Sequence, residues 1–287
     1  MNIILWGNIF AVFTLLVAIP AAHAREPIPE KLVVLTFDDS SKSHFTVARP
    51  ILKEYGFGAT FFVTEGLTYR QNPQAYMTWE EIRILHDDGF EIGNHLKDHM
   101  GVNSQNVSQL REQLEWIDGR CAEYGIPKPV SFAWPGCFLH RNALPVLDEH
   151  GLLWSRRCSF PEVRYGVDLS IAYNPKEEHP HLIPTTAMGR PDMLLEDYQA
   201  CLAVAGPGEI AVVCFHGVPE TEHPWVHTPR ERFEEFIVWL HDDQYTVIAM
   251  RDLAKYVDPA DRPEDPWAIH NQRRKQRRKA AAAEKEE

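Results

Sequence analysis

Hydrophobic positions along the chain fall into short continuous runs that alternate with longer stretches of helical spacing. The first run, Leu32-Val33-Val34-Leu35, has the β-branched, unbroken apolar character of a strand buried on both faces. It ends abruptly in Thr36-Phe37-Asp38-Asp39. Further strands are predicted at 59–64, 90–92, 130–134, 152–155, 209–215 and 245–248, each bounded by Gly, Pro or polar residues. Between them, helices are predicted over 45–55, 79–88, 104–124, 143–150, 194–204, 229–241 and 250–257. Thr78 with Glu81 three positions on forms a capping box that starts the second helix. Only the stretch from Cys158 to Thr186 lacks a period. Strands alternating with helices predict a parallel α/β sheet or barrel in a single domain, with no internal repeat and no interdomain linker.

Charge narrows the picture. The formal net charge is -12, so no broad basic surface for nucleic acid can be built. Six cations do cluster in Arg273-Arg274-Lys275 and Arg277-Arg278-Lys279, inside the low-complexity segment 259–287, read as a solvated tail or frayed helix. Residues 10–19 are an apolar core followed by Ala22-His23-Ala24, a small-x-small pattern. This predicts a signal peptide over residues 1–24 and export, with an uncleaved membrane anchor as the alternative. The run is short for a bilayer span, so no stable membrane span is expected after cleavage. Five cysteines (Cys121, Cys137, Cys158, Cys201, Cys214) lack a Cys-x-x-Cys pair, and their number leaves at least one unpaired within the chain. No particular disulfide is predicted.

The chemistry-bearing residues sit in matching places. Asp38 and Asp39 follow one apolar strand, His95 another, Trp134-Pro135-Gly136 a third and His216 a fourth. If those strands are parallel, all four features gather at their carboxyl ends, where α/β proteins place their sites. Alternation in an extended chain aims Asp38 and Asp39 in different directions, so they can take different roles. His95 and His99 are four residues apart and would share one face of a helical turn. With Asp39 they make a two-histidine, one-carboxylate set that leaves coordination positions open, as in catalytic zinc and non-haem iron sites. His179, His181, His223 and His227 lie in predicted loops. Of the tryptophans, Trp79 fits the core, while Trp134, with Trp225 behind it, is a candidate platform for a sugar ring.

Thr36-Phe37-Asp38-Asp39, Glu91-Ile92-Gly93-Asn94-His95 and His99 resemble the first two motifs of the polysaccharide deacetylases, the NodB-homology enzymes of carbohydrate esterase family four. Ala59-Thr60-Phe61-Phe62-Val63 is similar to their second strand and Cys214-Phe215-His216 to their last motif. The resemblance covers residues 31 to 256 and places a catalytic domain over residues 25–258. It implies a distorted (β/α) barrel of about seven strands, and a divalent metal, zinc before cobalt or iron, held by Asp39, His95 and His99. It further implies Asp38 as general base, His216 as general acid, a Gly136 N–H as oxyanion donor and an acetylated carbohydrate as substrate. N- or O-deacetylation follows as the expected activity. Hydrolysis of non-sugar C–N amide bonds, or carbohydrate binding by a degenerate site, remain as alternatives.

The sequence also departs from the pattern. Ala133 stands where the family carries an arginine beside the base, and Arg156 and Arg157 are candidates to supply that charge from elsewhere. Leu96, Ser40 and Cys214 replace commoner residues, and no fourth motif is found between Cys158 and Thr186.

Overall fold

Alternation along Leu32–Phe37 (β1) sorts the molecule into an inside and an outside. A computed structural model describes residues 25–160, 162 and 170–283; the expected export signal lies outside the described residues. Val33, Leu35 and Phe37 face one apolar layer together with residues from the surrounding helices. Leu32 and Val34 face a second layer with Phe62, Ala133, Trp154, Ile183, Ile210 and Val212, which fills the interior of a curled sheet. Side chains two residues apart share a face, so Thr36 and Asp38 continue the inward set.

The other strands are Thr60–Val63 (β2), Glu91–Asn94 (β3), Ser131–Ala133 (β4), Trp154–Arg157 (β5), Ile183–Pro184 (β6), Ala187–Met188 (β7), Ala211–Phe215 (β8) and Thr246–Ile248 (β9). They pair in the order β6-β5-β4-β3-β2-β1-β8-β7, every pair parallel, with β9 alongside the first half of β1. Since β6 and β7 are separated only by Thr185 and Thr186, one extended segment pairs with β5 at its start and with β8 at its end. Thr185 N–H donates to Arg157 O and Thr186 N–H to Val212 O, which continues both ladders. With β6–β7 as one segment and β9 beside β1, eight parallel strands form the curled sheet, against about seven expected, and β6 and β7 fall in the region where no strand is predicted. Two-residue strands carry no readable period, and Pro184 lowers the strand signal further.

Helices cover the outside: Arg49–Glu54 (α1), Trp79–Asp87 (α2), Leu110–Glu123 (α3), Leu144–His150 (α4), Leu195–Leu202 (α5), Arg230–Asp242 (α6) and Ala268–Ala283 (α7). The capping box of α2 is formed: Thr78 Oγ1 accepts from Glu81 N–H and Glu81 accepts from Thr78 N–H. The outer core is strongly aromatic. Phe37 stacks on Phe61 at 4.8 Å and on Phe215 at 5.5 Å, with Phe233 edge-on. Each such ring contributes roughly 2–3 kcal/mol by leaving water, and together they anchor the strand ends that carry the chemistry.

Two further features were not foreseen. Cys137 and Cys158 form a disulfide, leaving Cys121, Cys201 and Cys214 as free thiols. Within the segment expected to be solvated, α7 docks its first two turns: His270 lies 3.3 Å from Glu162 and Arg273 2.5 Å from Glu178, both buried carboxylates. Among the described residues no helix is long and apolar enough to cross a membrane.

Candidate active site

At the carboxyl end of β1, the Asp38 N–H still pairs with Phe215 O at 2.9 Å. The chain then turns sharply, with Asp39 at φ 73° and Ser40 at φ 59°. These left-handed residues are tolerated because Ser40 Oγ is tied to the Thr64 backbone, accepting its N–H at 2.9 Å, and Met77 N–H donates to Ser40 O. The turn separates the two carboxylates: Asp38 stays in line with the interior of the sheet, and Asp39 swings toward the end of β3.

His95 and His99 do not share a helical face. The segment after β3 is a loop in which Leu96 (φ 62°) and His99 (φ 50°) are both left-handed. It is braced from three sides. Asn94 Oδ1 accepts Leu96 N–H, Gln113 of α3 accepts Asp98 N–H and donates to its carboxylate, and Glu65 N–H donates to Lys97 O. Gly66 is required here, since a Cβ would sit 2.4 Å from the backbone of Asp98. The loop brings both imidazoles to Asp39 all the same: His95 Nε2 and His99 Nε2 each lie 3.3 Å from Asp39 Oδ1.

That convergence fits a cation. Asp39 Oδ1 is buried and has no partner in hydrogen-bond geometry, despite two imidazole nitrogens near it. The three ligand atoms lie within 4.8 Å of one another. His95 Nδ1 is 2.8 Å from Ala133 O; donating there leaves Nε2 as the free lone pair, the usual support for a ligating histidine. Burial and then the neighbouring His95 push the His99 imidazole down to about 4, so it is neutral and able to ligate. Two imidazoles and one carboxylate suit zinc or iron with positions left open.

Asp38 is set apart by its partners. Arg156 of β5 donates to Asp38 Oδ2 and to Thr185 Oγ1 at 3.0 Å, and the Cys214 thiol lies 3.5 Å from the same carboxylate oxygen. Burial alone would push the Asp38 carboxyl up. The Arg156 guanidinium, with His95 and His216, more than offsets this and holds it below the usual carboxylate range. Arg156 pairs in register with Ala133, so the cation absent from position 133 enters from the neighbouring strand. Arg157 does not share that role. Its parity is opposite, and it is bound instead to Glu162, with Glu178 3.7 Å away. His216 follows β8, with Nε2 3.8 Å from Asp39 Oδ2; its Nδ1 is buried without a partner.

Parity also overturns the reading of Trp134. It belongs to the outward set with Phe132, is 2% exposed, and donates its indole N–H to His181 O, so no sugar can stack on it. The exposed ring of this loop is Phe138, and Gly136 beside it is a left-handed turn residue at φ 59°. Trp79 is core, as expected, and Trp225 is exposed. His181 bridges Ser155 and Asp148 in the outer layer, and His223 pairs with Glu220, so neither is a ligand of the Asp39 group.

Residues 25–154 match the family model described as polysaccharide deacetylase. Asp38, Asp39, His95 and His99 fall inside that stretch; Arg156 and His216 fall beyond it. The bifunctional xylanase/deacetylase of Pseudobutyrivibrio xylanivorans is 31% identical over 87 residues, covering 30% of this chain and 14% of that protein. The peptidoglycan-N-acetylmuramic acid deacetylase PdaA of Bacillus subtilis (strain 168) is 30% identical over 90 residues, covering 31% and 32%. The chain therefore spans about a third or less of the length of these curated relatives. Among solved structures, the carbohydrate esterase family four pseudoenzyme BA3943 of Bacillus anthracis superposes with a TM-score of 0.55 at 19% identity, covering 80% of this chain and 67% of that one. At that identity the likeness is one of fold, a NodB-like (β/α) barrel.

Proposed function

We propose, from the match of residues 25–154 to the polysaccharide deacetylase model, that this chain is a metal-dependent hydrolase removing acetyl groups from a carbohydrate. The observation that carries the reading is the convergence of His95 and His99 on the partnerless Asp39 Oδ1, beside an Asp38 bound to Arg156. Asp39, His95 and His99 hold the divalent cation, zinc before cobalt or iron, which supplies Lewis acidity that lowers the pKa of water and polarises a carbonyl.

The chain's own residues do the rest. Asp38, kept ionised by Arg156, accepts the proton of the attacking water as general base. His216, across the Asp39 carboxylate, donates a proton to the departing amine or alkoxide. The N–H of Gly136, in the turn that follows β4, is the donor for the developing oxyanion. Asp38 and Asp39 hold these separate roles because their partners differ: an arginine for one, imidazoles for the other.

Fold alone would not support activity, since one fold neighbour is a pseudoenzyme. A carbohydrate-binding protein has no need of both a base and an acid, and this chain keeps Asp38 and His216. The test is acetate release from acetylated chitooligosaccharide, peptidoglycan and xylan by zinc-loaded protein, beside Asp38→Asn. The expected result is turnover on one of these glycans, lost in the variant while its zinc content stays at that of the parent. Bound zinc with no acetate release from any of them would overturn the reading. Turnover of small cyclic amides in its place would move the site to non-sugar C–N bonds.

A further inference from the structure

We infer that the Cys137–Cys158 disulfide is a positioning device of the catalytic face, one that fixes the Gly136 amide relative to the Arg156–Asp38 pair. The inference rests on the proposed role of Gly136 as oxyanion donor. Cys137 follows Gly136 in the turn after β4, and Cys158 follows Arg157 at the end of β5. These two strands are in register at Ala133 and Arg156, so the bond joins neighbouring strands just beyond their carboxyl ends.

The two half-cystines are held very differently. On the β5 side, Arg157 donates to Cys158 O at 2.8 Å and is itself locked to buried Glu162 and to Leu182 O. That side is a fixed post. The β4 side is a strained turn: Gly136 and Cys137 are left-handed in succession, at φ 59° and 65°. Cys137 is not a glycine, and an L side chain reaches this conformation only where its surroundings impose it. Among the described residues, the turn's own backbone bond is Phe138 N–H to Pro135 O at 3.2 Å. The start of the turn is tied to β5 by Trp134 N–H donating to Arg156 O at 3.0 Å, and the covalent bond to Cys158 holds its far end.

The turn also reaches the metal-ligand loop. The Phe138 ring lies against Gly101, where a Cβ would come within 2.7 Å of it, and Gly101 is two residues past His99. Through Cys137 the bond therefore sets the direction of the Gly136 N–H, and through Phe138 it steadies the His99 loop. Cys137, Cys158 and Phe138 are positioning residues; none is placed against the reacting atoms.

The test uses the full chain in three forms: parent, Cys137→Ser and Cys158→Ser. Denatured parent should titrate three free thiols; five would overturn the inference outright. Amide exchange over residues 134–138 should rise in both variants while that of β1 and β3 is unchanged. On the acetylated glycan, kcat should fall about tenfold or more, as when an oxyanion donor is misplaced, with KM and zinc content unaltered. Equal exchange and equal kcat, or a lowered melting temperature alone, would make the bond a plain staple and overturn the inference. Cys158→Ser keeps the Cys137 side chain in place, so agreement between the variants assigns the effect to the bond. Should a variant misfold, reduction of the folded parent by a phosphine, followed by the same exchange measurement, decides the matter. If the parent releases no acetate at all, the proposed function fails while the exchange readout still judges this inference.

Discussion

The two adjacent arginines of β5 act as a natural control on each other. Arg156 faces the interior and grips Asp38; Arg157 faces the outer layer and grips Glu162. Replacing Arg156 by Met removes the cation that offsets the burial of Asp38, so the Asp38 carboxyl titrates at a higher pH. A general base works only above its own pKa, so the acid limb of the pH–rate profile should move to higher pH. At neutral pH, kcat should drop about a hundredfold, the scale of a general base's contribution. The control, Arg157→Met, should leave the acid limb in place and lower the melting temperature instead. A pH profile that does not move in Arg156→Met would show that the base is another group. Much at this scale was legible in the chain: Asp38, Asp39 and His95 could be placed at strand ends, whereas His99 reaches Asp39 through a loop and not through the helical turn that its spacing suggested. What could not be read was which arginine serves Asp38. That depends on how far β5 runs: it spans Trp154–Arg157, so both arginines lie within the strand, on opposite faces, rather than beyond its end. With the strand placed correctly, the same alternation that sends Arg156 inward sends Trp134 outward.

At the scale of elements, the basic helix α7 shows what composition hides. A run of cations near the end of an acidic chain predicts a solvated segment, yet His270 and Arg273 meet Glu162 and Glu178 beneath it. Burial pushes the Glu178 carboxyl up, and Arg273 and Arg157 act against that. Arg273→Met should therefore destabilise the protein by about 2 kcal/mol. That is less than the cost of breaking an isolated buried pair, because Arg157 still lies 3.7 Å away. Chemical denaturation of parent and variant measures this, and equal midpoints would mean that the contact contributes nothing. The docking partners are contributed by the region from Cys158 to Thr186, whose lack of periodicity also concealed β6 and β7. The helices and longer strands were readable because each repeats its pattern several times. A two-residue strand or a single ion pair does not repeat.

For the molecule as a whole, the proposed cation is a folding partner as well as a reagent. Asp38 Oδ1 and Asp39 Oδ1 are buried without hydrogen-bond partners, a cost that a bound cation relieves at Asp39. Zinc at about a hundred times its dissociation constant should add about 2.7 kcal/mol to stability. Melting curves with zinc and with a chelator should separate accordingly, and Asp39→Ala should abolish the difference. Identical curves for the parent would argue against the site. Finally, the segment from Ile183 to Met188 touches both β5 and β8. An open sheet would present those two strands as bare rows of amides and carbonyls, ready to recruit a strand from another molecule. Here a single passage of chain shields both rows at once, so it is a keystone against self-association. One proteolytic cut between Thr185 and Thr186 would loosen both shields together and open two edges to strand addition.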